Sequence, residues 1–388
     1  MSRESFTQNE RTIIHLLRER DSLAKGDLCQ LGEMSWATVV KLTNRLLERG
    51  ILIVSGQGED KKKPGKNAML YSLAADRPLA IGFDVEYKSA HMVLSNLRGD
   101  ILAESETATP QSPSVGELRS FLVKALKEFV SKHVAERKCT VGVGIGLPGG
   151  VIPAWLKPDA DANRAKLENS LGKEIGLPVI VELNQRACTN FLLWQRDFFD
   201  DEDFGFVTIR NGVGMGLVLR GQVFVSHEAI STEIGHYKIA ESGVRCRCGS
   251  TGCLEPLINQ SALYAEYESR VLNRRPKANT SVNELVAGLH DLFDRAQKSE
   301  PQALTIIREM AVLLGRALST CLLTVYVPNL IIGGYFGEAG NILLPMLEEQ
   351  LRKNLLPNMR VNLRYISMER LPFAKADAVL ALSAYLNQ

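Results

Sequence analysis

Three cysteines and a histidine within one short stretch limit what this chain can fold into. Thiolates and an imidazole are the ligands that zinc takes in closed tetrahedral sites. Four protein ligands leave no position for water, so we expect one structural zinc per chain. Glycines between the last two cysteines permit the tight turns that such a loop needs. The predicted ligands are His236, Cys246, Cys248 and Cys253. Buried thiols beside an unrelated histidine are the alternative.

The composition is that of a soluble protein with more than one domain. The chain has 388 residues, of which 45% are hydrophobic and 23% are charged, and this length predicts two or three domains. No apolar run reaches about 18 residues, and Met1–Ser5 begins no signal peptide, so we expect a cytoplasmic protein without a membrane span. The small net charge of +2 comes from residues 1–76, which permits nucleic-acid binding there.

The first 48 residues have the pattern of three short helices. Apolar side chains recur at helical spacing over residues 8–20, and a second helix is expected over residues 25–31. Ser35 is a favourable N-cap for a third helix that continues through Glu48. A helix-turn-helix protein contacts the major groove with the leading end of such a helix, although a plain three-helix scaffold has the same pattern. The residues predicted to contact DNA are Ser35, Trp36, Thr38, Lys41 and Asn44.

A lysine-rich hairpin tip follows the third helix. Residues 51–54 and 69–73 are predicted strands, and residues 55–66 between them contain four lysines. A charged loop of this kind is usually only solvated, but beside a helix-turn-helix it can contact phosphates and a minor groove. The predicted DNA contacts in this wing are Lys63, Pro64, Gly65 and Lys66. We therefore favour a winged helix-turn-helix DNA-binding domain over residues 1–76.

Strand and helix signals alternate after residue 77, which predicts an α/β fold. Strands are expected at residues 81–85, 91–95, 101–104, 141–145, 179–182, 206–209, 217–219, 330–332 and 361–366. Ser114 caps a predicted amphipathic helix, and a long apolar helix is expected over residues 303–325. The glycines of Arg210–Gly216 suit either a phosphate-binding loop or a hairpin between strands.

The cysteine-rich stretch, Cys-x-Cys-Gly-x-x-Gly-Cys-x-Glu after Glu-Ile-Gly-His, resembles the signature of the ROK family. That family contains bacterial sugar kinases and sugar-responsive repressors, and the resemblance covers roughly residues 77–388. It implies an actin- and hexokinase-like body with a small lobe of about 77–189 plus 375–388 and a large lobe of about 190–374. A preceding winged helix is typical of the repressors, whose wing often has an Arg-Pro element similar to Lys63-Pro64.

Two kinase motifs of the family are altered in this chain. The family's first phosphate loop, Asp-x-Gly-Gly-Thr-Lys, is similar to Asp84–Ser89, where Glu86 and Tyr87 replace both glycines. The family's base motif, Glu-Asn-Asp-x-Asn, is similar to Glu182–Arg186, where Asn184 replaces the aspartate. An amide cannot accept the proton of a sugar hydroxyl, and a carboxylate repels ATP phosphates. The resemblance therefore implies a body without kinase activity, unless a shifted register makes Glu182 the base.

The resemblance also implies a sugar site. Carboxylates and amides accept hydrogen bonds from sugar hydroxyls, although the glutamates could instead only support the zinc ligands. The predicted sugar-binding residues are Gly149, Asn184, Glu233, His236 and Glu255. His236 has a second ring nitrogen to present to a ligand when the first binds zinc. Leu183 departs from the family's amide and leaves the effector unspecified.

These features predict a transcriptional regulator, most simply a repressor of carbohydrate-utilisation genes that a sugar or sugar derivative releases from operator DNA. The family implies a homodimer or homotetramer, and the apolar helix at 303–325 is either an interface between subunits or part of the core. A sugar kinase with an appended DNA-binding domain is the alternative. A regulator controlled by a sugar-transport protein is a third possibility.

Overall fold

The chain divides into two compact units. The computed structural model describes residues 5–59, 67–86, 89–110, 114–134, 139–148, 160–195, 203–225, 232–277, 280–370 and 373–387. Unit 1 comprises Met1–Gln195 and Phe373–Gln388, and unit 2 comprises Arg196–Pro372. The predicted fold class, a winged helix-turn-helix before a kinase-like α/β body, is confirmed. The predicted domain and lobe boundaries remain predictions.

Unit 1 begins with the winged helix-turn-helix. Its helices are α1 (Gln8–Glu19), α2 (Lys25–Leu31) and α3 (Trp36–Glu48). Its sheet has the order β1-β3-β2, formed by β1 (Leu23–Ala24), β2 (Leu52–Glu59) and β3 (Asn67–Leu73). The Ser35 hydroxyl accepts a hydrogen bond from the backbone N–H of Thr38 at 3.2 Å and so caps α3 as predicted. The short strand β1 had no sequence signal of its own.

The rest of unit 1 is a five-stranded sheet covered by helices. The strands are β4 (Leu79–Val85), β5 (Ser89–Asn96), β6 (Ile101–Ala108), β7 (Thr140–Leu147) and β8 (Val179–Leu183), in the order β6-β5-β4-β7-β8. The helices are α4 (Val115–His133), α5 (Ala160–Ile175), α6 (Asn184–Gln195) and α12 (Phe373–Leu386). Helix α12 lies so close to the sheet that a Cβ on Gly82 would stand 1.6 Å from the Ala374 carbonyl oxygen. Glycine is therefore required at that strand position.

The winged helix shares a hydrophobic core with the end of the chain. Buried side chains of α1, α2 and α3 form one cluster with those of α12. The Phe6 and Tyr385 rings meet edge to face with centroids 5.3 Å apart. Arg11 Nη1 donates a hydrogen bond to Asn387 Oδ1 at 2.9 Å. Sequence patterns had not indicated that these segments, far apart in the chain, pack together.

Unit 2 is a mixed sheet with helices around it. Its strands are β9 (Phe204–Ile209), β10 (Val213–Leu219), β11 (Gln222–Val223), β12 (Asn329–Gly334) and β13 (Asn362–Ser367), in the order β11-β10-β9-β12-β13. Its α-helices are α7 (Glu255–Ile258), α8 (Gln260–Glu266), α9 (Val282–Gln297), α10 (Pro301–Thr324) and α11 (Leu343–Asn354). The apolar face of α10 packs in the core against α9 and α11, which accounts for its composition. Among the described helices, none is long and apolar enough to cross a bilayer.

Candidate functional site

The four predicted metal ligands come together in unit 2. Their ligand atoms all lie within 4.8 Å of one another. His236 Nδ1 is 3.5 Å from Cys246 Sγ, and Cys248 Sγ is 3.8 Å from Cys253 Sγ. A tetrahedral ion with bonds of about 2.3 Å to sulfur and about 2.05 Å to nitrogen separates two sulfurs by about 3.8 Å, and a sulfur from a nitrogen by about 3.6 Å. The ligand arrangement therefore fits a four-coordinate metal ion.

Backbone contacts hold the cysteine loop in shape. The Cys246 N–H donates to the Ser250 carbonyl at 2.7 Å, and the Leu254 N–H donates to the Tyr237 carbonyl at 3.0 Å. Gly252 has φ +74°, and a Cβ there would lie 1.8 Å from the Ala240 carbonyl oxygen. Only glycine fits at this position, as the sequence pattern predicted.

The cysteine thiols differ in their environments. Burial raises the pKa of Cys246 to about 11, whereas a hydrogen bond from the Ser250 backbone lowers the pKa of Cys248. A bound metal ion deprotonates coordinating thiols, which removes the penalty that burial places on the Cys246 thiolate. The loop chemistry therefore favours an occupied site.

An arginine between two of the cysteines connects the metal cluster to Glu255. Arg247 donates from Nε and Nη2 to Glu255 Oε1 at 3.2 and 3.0 Å, and from Nη2 to the Asn211 carbonyl at 3.2 Å. The other carboxylate oxygen of Glu255, which is buried, accepts the Val213 N–H at 3.1 Å. Sequence reasoning missed Arg247, because the cysteines on either side of it define the motif, and its contacts with Glu255 and Asn211 form only in the folded loop.

The other predicted sugar-binding residues are distributed over both units. Glu233 is exposed, and its Oε2 lies 4.0 Å from His236 Nε2, the ring nitrogen on the side away from Cys246. Glu233, His236 and Glu255 belong to unit 2, and Asn184 belongs to unit 1. Gly149 lies outside the described residues. The sugar-binding roles of all five remain predictions.

Asn184 is buried against two carboxylates. Its Nδ2 donates to Asp84 Oδ1 at 2.8 Å, to Glu86 Oε1 at 3.2 Å and to the Val85 carbonyl at 3.3 Å. Its Oδ1 is buried and has no hydrogen-bond partner in the described part of the chain. The carboxylates fix the orientation of the amide, because only its N–H groups can face them. Two unusual residues of the sequence, Glu86 and Asn184, are thus in direct contact.

Comparison with known proteins identifies the family. Residues 80–371 match the ROK family over most of the chain. The chain belongs to the ROK family. A solved structure of a ROK family transcriptional regulator, a homologue of the E. coli MLC protein, superimposes with a TM-score of 0.73 at 21% identity. The superposition covers 98% of this chain and 96% of that one, so the whole architecture is shared.

Regulators and kinases of the ROK family both match this chain. The N-acetylglucosamine repressor of Escherichia coli O6:H1 is 24% identical over 93% of this chain and 88% of its own length. The xylose repressor of Caldicellulosiruptor bescii is 23% identical over 85% and 84%, respectively. The glucokinase of Halalkalibacterium halodurans is 25% identical, but it covers 72% of this chain and 87% of itself. Only the two repressors of these three match over nearly the full length.

The shifted-register alternative for the ROK catalytic base is not supported. Glu182 Oε1 accepts hydrogen bonds from the Leu183 N–H at 2.8 Å and from Arg186 Nε at 2.7 Å. Glu182 Oε2 lies 3.6 Å from Arg164 Nη1. Arg186 is buried, so its ion pair with Glu182 is part of the interior. Both oxygens of the Glu182 carboxylate therefore have structural partners.

The glycine-rich segment of residues 210–216 is a hairpin. Strands β9 and β10 pair antiparallel, with Ile209 opposite Val213, so the turn is confined to residues 210–212. Gly214 and Gly216 lie inside β10. The hairpin alternative from the sequence is therefore confirmed for these glycines.

The end of β12, at Gly333-Gly334, is closed by aromatic side chains. The Tyr365 hydroxyl donates to the Gly334 carbonyl at 2.9 Å and accepts the Phe336 N–H at 3.3 Å. The Phe336 ring stacks on Phe293 with centroids 4.2 Å apart. Burial raises the pKa of Tyr365. The Gly334 carbonyl and the Phe336 N–H therefore both have a hydrogen-bond partner in Tyr365.

The predicted DNA-contacting residues of α3 form an outer surface. Trp36 is 61% exposed, and Ser35, Lys41 and Asn44 are exposed as well. Thr38 is half-buried, with its hydroxyl 2.8 Å from that of Ser35. The wing residues Lys63, Pro64, Gly65 and Lys66 lie outside the described residues. The DNA-binding roles on both elements remain predictions.

Proposed function

We propose that this protein is a DNA-binding transcriptional repressor whose ROK body binds a sugar or sugar derivative without phosphorylating it. The full-length similarity to sugar-named repressors supports the regulatory role. The observation that carries the proposal is the contact of Asn184 with Asp84 and Glu86.

The Asn184 contact argues against phosphoryl transfer for two reasons. Transfer to a sugar hydroxyl needs a carboxylate that orients and deprotonates the nucleophile, and a neutral amide cannot take the proton. Glu86 places a negative charge on the loop that in ROK kinases approaches phosphate. Its hydrogen bond with Asn184 keeps that carboxylate in position. The replacements at positions 86 and 184 thus both oppose phosphoryl transfer.

The effector site is proposed to use Gly149, Asn184, Glu233, His236 and Glu255. Buried carboxylate and amide oxygens accept hydrogen bonds from sugar hydroxyls. Relatives are named for xylose and for N-acetylglucosamine, so the effector class is a monosaccharide or its derivative.

The metal is proposed to be a single structural zinc ion. Three thiolates and one imidazole match zinc better than magnesium or calcium, which prefer oxygen. His236 would bind the ion through Nδ1, which leaves Nε2 on the side of Glu233. The ion would fold the cysteine loop and so fix Arg247 and Glu255.

The DNA-binding surface is proposed to be α3 with the wing, acting in a homodimer or homotetramer in the cytoplasm. Two recognition helices in such an assembly contact half-sites about one helical turn apart. Effector binding would change their spacing and release the operator. Control by a sugar-transport protein would act through the same body.

The first test selects bound fragments from genomic DNA and measures affinity against salt. Lys41→Gln should lower the affinity for DNA. It should also reduce the slope of log K against log salt concentration by about one, as expected for the loss of one phosphate contact. Lys353→Gln, on the exposed face of α11, is the matched control and should leave both unchanged. Salt-insensitive binding, or equal effects of the two variants, would contradict the proposal.

The second test is a thermal-shift screen with D-xylose, D-glucose, N-acetylglucosamine and their phosphates, with and without ATP. We expect a shift without nucleotide that Glu255→Ala reduces. If the shift requires ATP, a sugar kinase with an added DNA-binding domain is favoured instead. The match to a glucokinase is consistent with that alternative. That kinase would consume ATP, and Glu255→Ala would abolish the consumption.

A further inference from the structure

Helix α6 joins the proposed effector site to the winged helix. Asn184 is its first residue, and Trp194 lies in its last turn. The Arg18 guanidinium of α1 stacks on the Trp194 ring, with Cζ 4.1 Å from the ring centroid. Arg18 Nη2 also donates to the Trp194 carbonyl oxygen. One helix therefore contacts the carboxylates of Asp84 and Glu86 at one end and helix α1 of the winged helix at the other.

Helix α6 is packed along its whole length. Its inner face is buried, and α12 packs along it. At about 1.5 Å per residue, the two ends are roughly 15 Å apart. A packed helix of this length transmits a displacement at one end to the other, because close-packed interiors deform little.

We propose that α6 transmits occupancy of the effector site to the winged helix through the Arg18–Trp194 contact. The inference rests on the proposed function, because it takes Asn184 as part of the effector site. Asn184 Oδ1 is a buried acceptor without a partner among the described residues, so a ligand hydroxyl or amide N–H satisfies it. The contacts of Nδ2 hold the first turn of α6 in place.

The coupling requires two states that the ligand distinguishes. In one state Arg18 is seated on Trp194, and in the other this contact is open. A ligand that draws Asn184 away from Asp84 and Glu86 displaces the first turn of α6 and favours the open state. Occupancy then shifts the population, because the ligand binds the open state more tightly.

A second route between the same regions exists and must be separated from the first. Helix α12 packs on α6, and the C-terminal end of the chain contacts Phe6, just before α1, through Tyr385 and Arg11 of α1 through Asn387. Arg11 and Arg18 lie on the same helix α1, but Arg11 contacts Asn387 whereas Arg18 contacts Trp194. Arg11→Gln is therefore a matched control for the loss of an arginine contact.

The experiment is hydrogen exchange of the full-length protein, followed by mass spectrometry on peptides covering α1. It compares the wild type with Asn184→Asp, Trp194→Ala and the double variant, and repeats Asn184→Asp in an Arg11→Gln background. Asn184→Ala is a second, milder perturbation in case the aspartate prevents folding. At about pH 4, where the introduced acid is protonated and its charge penalty is absent, we expect Asn184→Asp and Trp194→Ala each to speed exchange of α1 by about two- to fivefold, the effect of losing a cation–π contact of about 0.5–1 kcal/mol.

The double variant decides the outcome. We expect it to exchange no faster in α1 than Trp194→Ala alone, and we expect the response to Asn184→Asp to persist in the Arg11→Gln background. If the two substitutions speed exchange of α1 independently, so that their effects multiply in the double variant, the proposal is overturned. It is also overturned if Asn184→Asp speeds exchange of β4 and leaves exchange of α1 unchanged. A protein that shows this coupling but binds neither DNA nor sugar would refute the proposed function and leave the coupling intact.

Discussion

Replacing Asn184 with aspartate restores the family's catalytic base and should nevertheless destabilise the protein. The new carboxylate would stand where Nδ2 now lies, 2.8 Å from Asp84 Oδ1 and 3.2 Å from Glu86 Oε1. Repulsion at about 3 Å and an effective dielectric constant of about 20 is roughly 5 kcal/mol for each pair. Protonating the new acid at pH 7 instead requires about 4 kcal/mol, from an ordinary pKa of about 3.9. Protonation is the easier route, so we expect a loss of about 4 kcal/mol.

The loss should depend on pH with a definite sign. The folded-state pKa of the introduced aspartate is raised above its unfolded value, so the folded state holds the proton more tightly. The penalty is therefore absent below about pH 4 and grows as the pH rises toward 7. Asn184→Ala removes the same hydrogen bonds without adding charge, and its deficit relative to the wild type should change little with pH. Adding Glu86→Gln to Asn184→Asp should recover little of the loss, because the remaining repulsion from Asp84, roughly 5 kcal/mol, still exceeds the cost of about 4 kcal/mol for protonating the new acid.

Denaturant unfolding of the four proteins between pH 4 and 8 measures these differences. The reasoning also predicts that Asn184→Asp produces no sugar phosphate from ATP, because the Glu86 carboxylate stays on the loop. An aspartate variant as stable as the wild type at pH 7, with no pH-dependent deficit, would refute this account of the contact.

Three further predictions concern the rest of the molecule. Removing zinc with a chelator, or Cys246→Ser, should lower the melting temperature and speed exchange in the cysteine loop, and a metal-free protein with an unchanged melting temperature would contradict it. Gly252→Ala should prevent metal binding, because its Cβ would lie 1.8 Å from the Ala240 carbonyl oxygen. Gly249→Ala is the control: its φ is also positive, at +92°, but a Cβ there meets no atom, so the protein should lose only about 1–3 kcal/mol of stability. Elemental analysis should find the metal in the Gly249 variant and not in the Gly252 variant. Burial raises the pKa of Glu168, so the stability that this side chain contributes is present at low pH and is lost as the pH rises through the raised pKa. Glu168→Gln should therefore be more stable than the wild type at pH 7, by at most about 1 kcal/mol. Denaturant unfolding at pH 4 and pH 7 tests this difference.

Local patterns in the sequence were sufficient for the elements that local chemistry determines. The metal ligands lie close together in the chain, and the Ser35 cap and apolar spacing set the bounds of α3. The packing of α12 against the winged helix could not be read in this way, because it joins segments over 300 residues apart. Arg247 was missed although Glu255 lies only eight residues later, because no local pattern marks a contact between these two side chains or with the Asn211 carbonyl.

The contact between Asn184 and Glu86 shows more clearly what local sequence patterns cannot predict. Each replacement was visible in the sequence as a departure from a family motif. The hydrogen bond between them was not, because β4 and α6 are about 100 residues apart and meet only in the folded sheet. The sequence thus indicated two separate departures from the kinase motifs, and the structure shows that the two residues are hydrogen-bonded to each other.

The most direct test of the central claim is the fluorescence anisotropy of a selected operator fragment, titrated with a sugar that gives a thermal shift. We predict that the sugar alone, with no nucleotide present, lowers the affinity of the protein for the fragment and is recovered unmodified. Release that occurs only with ATP, together with formation of sugar phosphate, would contradict the claim that this ROK body binds its sugar without reacting.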